Sequence, residues 1–194
     1  MSKRNFNYNL TIRIFDIFIS FFGIILLSPI IAFIYLLVYL ENKSPLFYQE
    51  IIGIYLKKFI LIKFRTMKPN TNICATHLVD PNRITKIGVF LRKTKIDEIP
   101  QLWNVLRGDM SMVGPRPCLT TQTELINFRK KYNLYSVKPG ITGIAQIKKI
   151  DMSDPEYLAK TEYKMISKFN RFDYFYYIFL TFIGVGFGDR VRKK

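Results

Sequence analysis

At 194 residues the chain is long enough for one ordinary domain together with a membrane element. Thirty Lys and Arg against 14 Asp and Glu give a formal net charge of +16, which draws polyanions: nucleic acid, an anionic membrane face or phosphorylated substrates. A hydrophobic share of 49% with 15% aromatics excludes a disordered basic tail and fits a membrane-surface protein better than a free nucleic-acid binder.

Taken in chain order, the first element is apolar. Ile17 to Leu40 carries no charge over 24 residues. As a helix it reaches roughly 36 Å, against a hydrocarbon core of about 30 Å. The run is too long for the apolar region of a signal peptide and has no small-residue cleavage site after it, so we expect it to be retained. Ser28-Pro29 sits in its middle. Proline lacks an N–H, so a kink is expected there, with the serine hydroxyl able to serve a freed carbonyl. Two readings stand: a kinked spanning helix, or a re-entrant hairpin that turns at Ser28-Pro29. Positive charge lies on both flanks, at Lys3, Arg4 and Arg13 before the run and Lys43, Lys57, Lys58, Lys63 and Arg65 after it. That distribution suits both ends being cytoplasmic.

Short strands are predicted at 46–48 and 59–64, with Gly53 as a turn between them. Residues 68–83 read as a polar loop and 84–94 as a short basic helix. Residues 97–108 predict a helix with Asp97 as N-cap, Pro100 in the first turn, Gly108 as the stop, and Ile99, Leu102, Trp103 and Leu106 on one apolar face. Further helices are expected over 120–132 and 155–169. The aromatic run from Asp173 to Phe187 is too short to span and reads as an interfacial element. Cys74 and Cys118 form no CxxC pair and His77 is the single histidine, so structural zinc is not indicated. Unpaired cysteines fit a reducing compartment.

Candidate chemistry centres on the adjacent carboxylates Asp97 and Glu98. A helix start favours anions, and Arg92, Lys93, Lys95 and Arg107 surround the pair in sequence. Such carboxylates are expected to stay ionised, fit to act as nucleophile or to hold Mg²⁺ through oxygen. The plainer alternative is a helix cap at Asp97 and dipole complement at Glu98. The run 108–117 reads as irregular, with Arg116 held between Pro115 and Pro117, which pre-orients its planar fork toward a phosphate. Lys63 and Arg65, two apart in a strand, would face one side; a solvated basic edge explains them equally.

At these residues the chain resembles the bacterial sugar transferases, specifically the small monotopic phosphoglycosyl transferases that start glycan assembly. The resemblance runs over nearly the whole chain. It takes in Asp16, Ser28-Pro29, Gln49, the KFRTM run at 63–67, DEIPQLWNVLRGDMSMVGPRP at 97–117 and PGITGIAQ at 139–146. It implies an α+β, mainly helical monotopic membrane protein: a re-entrant helix over 1–42 broken at Ser28-Pro29, then a membrane-associated catalytic domain over 43–194 with short strands and amphipathic interfacial helices.

It further implies transfer of a phospho-sugar from a UDP-sugar to polyprenyl (undecaprenyl) phosphate, with release of UMP. Asp97 would be the nucleophile that forms a phosphosugar-aspartyl intermediate, and Glu98 would bind Mg²⁺. Lys63, Arg92 and Arg116 would contact phosphates, with Arg65 a further candidate beside Lys63, and Pro115-Arg116-Pro117 would help hold the nucleotide. The site would lie on the cytoplasmic face of the bacterial inner membrane, and the product would pass to downstream glycosyltransferases building O-antigen, capsule, exopolysaccharide or a glycoprotein glycan. The chain departs from the pattern at Ile51 (arginine in the family), at Leu56 (glycine) and at Ile147-Lys148-Lys149, which leaves the donor sugar open. It looks like the minimal form of the family.

Two other classes compete. A non-enzymatic basic membrane scaffold explains charge and apolar content but does not require the Asp-Glu pair. A nucleic-acid binder explains the charge but not residues 17–40.

Overall fold

A computed structural model describes residues 10–69, 71 and 80–188. Lys3, Arg4, Cys74 and His77, singled out above, lie outside them. The order of elements is α1 (Leu10–Asn42), β1 (Leu46–Ile52), β2 (Lys58–Phe64), α2 (Lys86–Thr94), α3 (Gln101–Arg107), β3 (Ser111–Val113), β4 (Cys118–Leu119), α4 (Thr123–Lys131), β5 (Gly140–Thr142), α5 (Ile144–Ile147), α6 (Pro155–Lys168) and α7 (Arg171–Phe182). The architecture is α+β and mainly helical.

The 33-residue α1 is long and apolar enough to cross a membrane. Its backbone stays helical through Ser28-Pro29, so the expected break is not a gap in secondary structure. Pro29 has no N–H for the Ile25 carbonyl one turn back, and the Ser28 hydroxyl donates to that same carbonyl at 2.8 Å. One stripe of α1 is buried: Ile12, Asp16 and Ser20 in the first half, Ile34 and Val38 in the second. The first half joins the main core, with Leu61, Leu102, Val105, Met110 and Tyr174. The second packs with Phe64 and Leu91. Asp16 is wholly buried, and its Oδ1 accepts from Ser111 Oγ at 3.0 Å, Met112 N–H at 2.9 Å and Tyr174 O–H at 2.8 Å. One carboxylate thus ties α1 to β3 and α7. Arg13 donates to the Val105 and Leu106 carbonyls at 2.6 and 2.7 Å, serving the open end of α3.

β1 pairs antiparallel with β2, from Leu46 opposite Phe64 to Ile52 opposite Lys58, and with β4 on its other edge. Asn104 of α3 closes the free edge of β2: Oδ1 accepts from Ile62 N–H at 3.0 Å and Nδ2 donates to the Ile60 carbonyl at 2.7 Å. In the β1–β2 connection, Leu56 sits at φ +62°, where a glycine would be unstrained.

The run 108–117 is not irregular throughout, because it contains β3, which pairs in parallel with β5. Gly114 and Gly140 cross so closely that a Cβ on Gly140 would lie 2.0 Å from the Gly114 nitrogen. That crossing locks the two longest motif runs together. Two further expectations are corrected. Residues 97–108 are not one helix: Ile96–Glu98 is a 3₁₀ turn, and α3 starts at Gln101 with no side-chain cap. Its buried face is Gln101, Leu102, Asn104 and Val105, while Trp103 is exposed, because α3 lies between α1 and β2 and buries two sides. Gly108, at φ +94°, ends α3 as expected.

Candidate active site

A cavity of about 610 Å³ opens between α1, the β1–β2 hairpin, the 3₁₀ turn, the loop after β3, and the end of α7. Its charged and polar wall includes Lys63, Lys95, Glu98, Arg116, Gln49 and Gln122, and its apolar wall includes Ile19 and Leu27 of α1 with Ile178 and Phe182 of α7. Such a space can take a ligand that is ionic on one part and greasy on another.

Asp97 is recessed behind this wall. Its neighbours Ile96 and Glu98 line the cavity, whereas its own residue is 7% exposed. Asp97 Oδ1 has no hydrogen-bond partner among the described residues, so the carboxylate caps nothing there. Lys95 reaches Glu98 at 3.8 Å and holds φ +62°, a strained conformation that reverses the chain between α2 and the turn.

Burial raises the Asp97 carboxyl to about 6 and Glu98 adds to the rise, while Lys63, Lys95 and Arg92 pull it down. Desolvation therefore outweighs the basic surroundings in setting the acidity of Asp97. The carboxylate is still mainly ionised at neutral pH, and poorly satisfied, which is the condition of a reactive group.

The residues singled out from sequence do not all meet in one place. Lys63, Glu98, Arg116 and Pro117 meet at the cavity, with Asp97 and Arg92 behind it. Pro115 is buried and accepts from Gly140 N–H at 2.9 Å, so it serves the backbone crossing. Arg65 lies past the end of β2, so strand alternation with Lys63 does not apply. Its guanidinium donates to the Ser44 and Leu46 carbonyls and rests over the Phe47 ring. Ser28 and Pro29 are exposed on α1. Lys95, Gln122 and Gln146 also line the cavity. Lys95 was legible as one more cation near the dyad and Gln146 as the end of the 139–146 run, whereas Gln122 carries no local signal.

Residues 7–187 match the family described as bacterial sugar transferase. The chain is 44% identical over 136 residues to "Uncharacterized sugar transferase EpsL" of Bacillus subtilis (strain 168), covering 70% of this chain and 67% of that protein. It is 38% identical over 152 residues to "Exopolysaccharide production protein PSS" of Rhizobium leguminosarum bv. phaseoli, covering 70% and 72%. It is 41% identical over 140 residues to "UDP-glucose:undecaprenyl-phosphate glucose-1-phosphate transferase" of Klebsiella pneumoniae, covering 70% of this chain but 30% of that longer protein. The chain belongs to the bacterial sugar transferase family and is an enzyme of the sugar-phosphate transferase class.

Proposed function

We propose that this enzyme transfers a phospho-sugar from a UDP-sugar to polyprenyl phosphate, of the undecaprenyl type named for its Klebsiella relative, in two displacements at Asp97. In the first, an Asp97 carboxylate oxygen attacks the sugar-bearing phosphorus. The bond to the bridging oxygen breaks, and UMP leaves with that oxygen. In the second, a phosphate oxygen of the lipid attacks the same phosphorus, the acyl phosphate bond breaks, and Asp97 is regenerated. One observation carries this reading: a buried carboxylate oxygen without a partner among the described residues, close to Lys63, Arg92 and Lys95 and beside a cavity whose other wall is apolar. A covalent route lets one site serve a soluble donor and a lipid acceptor in turn, and the cations answer the need of phosphoryl transfer for charge neutralisation.

The residues fit a magnesium ion. Mg²⁺ commonly joins one or two carboxylates to substrate phosphates. Glu98 on the cavity wall, with the unpartnered Asp97 oxygen next to it, supplies such a set. Bound there, the ion would offset charge on the transferring phosphate; Lys63 and Arg116 would orient the donor.

The membrane placement belongs to the same proposal. Both halves of α1 pack on the rest of the protein, the first on α3, β3 and α7 and the second on β2 and α2, and both ends are tied down, Arg13 to α3 and Glu41 to the Ile87 N–H of α2. The opposite face of α1 exposes Phe18, Phe22, Leu26 and Phe33. This supports a monotopic, re-entrant helix with the catalytic part on the cytoplasmic face, aided by exposed Phe172, Phe175, Phe179 and Phe182 near or on α7.

The test is UMP release by purified protein from a panel of UDP-sugars with polyprenyl phosphate. Sustained release is expected to need both lipid acceptor and Asp97, with about one UMP per enzyme released when the lipid is left out. A scaffold would release none, and turnover by a folded Asp97→Asn protein would remove the covalent step.

A further inference from the structure

Arg116 is gripped from behind. Arg129 of α4 and Glu162 of α6 are 3% and 0% exposed and form a two-pronged ion pair, Nη2 to Oε1 at 2.7 Å and Nε to Oε2 at 2.9 Å. The same two side chains hold both backbone polar groups of Arg116. Its N–H donates to Glu162 Oε1 at 2.9 Å, and its carbonyl accepts from Arg129 Nη2 at 2.7 Å. The residues on either side are prolines, and the Pro115 carbonyl is already taken by Gly140. Neither Arg129 nor Glu162 lines the cavity, while Arg116 does, with its Nη1 donating to the Ile150 carbonyl at 3.4 Å.

A buried ion pair is poor evidence of stabilisation, since apolar replacements of similar volume are often neutral or stabilising. What this pair does that an apolar pair could not is to hold the Arg116 peptide groups in one place. We infer that Arg129 and Glu162 are positioning residues that set the Arg116 guanidinium toward the donor phosphates, an inference that rests on the donor reading above. A planar fork binds phosphate well only when its carrier is held still, and displacement of about 1 Å can lower a rate about a hundredfold.

The test uses the full-length protein carrying Arg129→Met together with Glu162→Met, with its melting temperature and its UMP release at varied donor and varied lipid. The double variant is expected to melt below the wild type, because the Arg116 N–H and carbonyl lose their partners, and, assayed below that melting temperature, to show KM for the UDP-sugar raised about tenfold and KM for the lipid unchanged. In an Arg116→Ala background the same two changes should lower kcat/KM no further. A folded double variant with wild-type donor KM overturns the inference, as does a loss that adds to Arg116→Ala. If the double variant does not fold, Arg129→Lys keeps a cation beside Glu162 without the fork; a raised donor KM supports the inference, and a wild-type one overturns it. Release by the wild type with an unaffected variant defeats the positioning role alone. No release by the wild type, from any donor, defeats the parent reading as well.

Discussion

Asp97 carries opposing consequences for stability and turnover. Its carboxyl is raised from 3.8 to about 6 by burial and by Glu98, against Lys63, Lys95 and Arg92. Below about pH 4 the group is protonated whether the chain is folded or not, and its burial is harmless. As pH rises from about 4 to 6 the unfolded chain releases the proton while the folded one keeps it, so stability falls; above that the loss is constant. Asp97→Asn lacks this loss. Measured without substrate or metal, it should be more stable than the wild type at pH 7, by on the order of 2–3 kcal/mol, with the gap closing near pH 4. Turnover should drop by about a thousandfold or more, because an amide is a poor nucleophile toward phosphorus. Thermal melting across pH, beside UMP release, checks both. Glu98→Gln should raise the Mg²⁺ concentration needed for half-maximal rate, and excess chelator should stop the wild type until Mg²⁺ is returned. The dyad was legible in the sequence because two carboxylates among cations are conspicuous. Its acidity was not, because its burial depends on β2, which lies far earlier in the chain and packs on the turn only in the fold.

At the scale of elements, Asn104 substitutes for a missing strand. It serves Ile62 N–H and the Ile60 carbonyl on the free edge of β2 and is itself wholly buried. Asn104→Ala leaves both backbone groups without their partner. It should destabilise by about 2–4 kcal/mol, read as a lower urea midpoint, and should loosen the strand that carries Lys63. What could be read beforehand at this scale follows from length. The helices α2, α4 and α6 each hold two or more turns, enough for periodicity to show. The strands β3, β4 and β5 have two or three residues each, too few for alternation to register. β3 and β5 pair because Gly114 and Gly140 allow two backbones to touch, and β4 forms on the edge of β1, tertiary facts that spacing alone does not encode. The helix expected at 97–108 failed at its first turn for a related reason: Lys95, in the left-handed region, bends the chain so that Asp97 turns inward rather than capping.

For the whole molecule, the decisive question is which side of the bilayer each end of α1 occupies. A straight 33-residue helix would extend about 50 Å, well beyond a hydrocarbon core of about 30 Å. If it crossed, one of its halves would have to leave the elements it packs on. Losing the first half would strip Asp16 of Ser111, Met112 and Tyr174 and present a carboxylate to lipid. Losing the second would expose the Phe64 and Leu91 cluster. Both penalties vanish if the helix enters and returns on one side, with the Ser28 hydroxyl serving the carbonyl that Pro29 cannot. Single cysteines at Leu10 and Lys57, in a chain with Cys74→Ser and Cys118→Ala, should therefore both resist a membrane-impermeant thiol reagent added to intact spheroplasts. Both should label once the membrane is opened. Labelling of Leu10→Cys alone from outside would mean that α1 crosses, and would separate the enzyme's membrane topology from its packing. Pro29→Ala restores the backbone N–H that favours a straight helix. It should shift a fraction of molecules toward outside labelling at residue 10 and lower UMP release in the same proportion, since a molecule that has given up its Asp16 contacts has lost the α1 wall of the cavity.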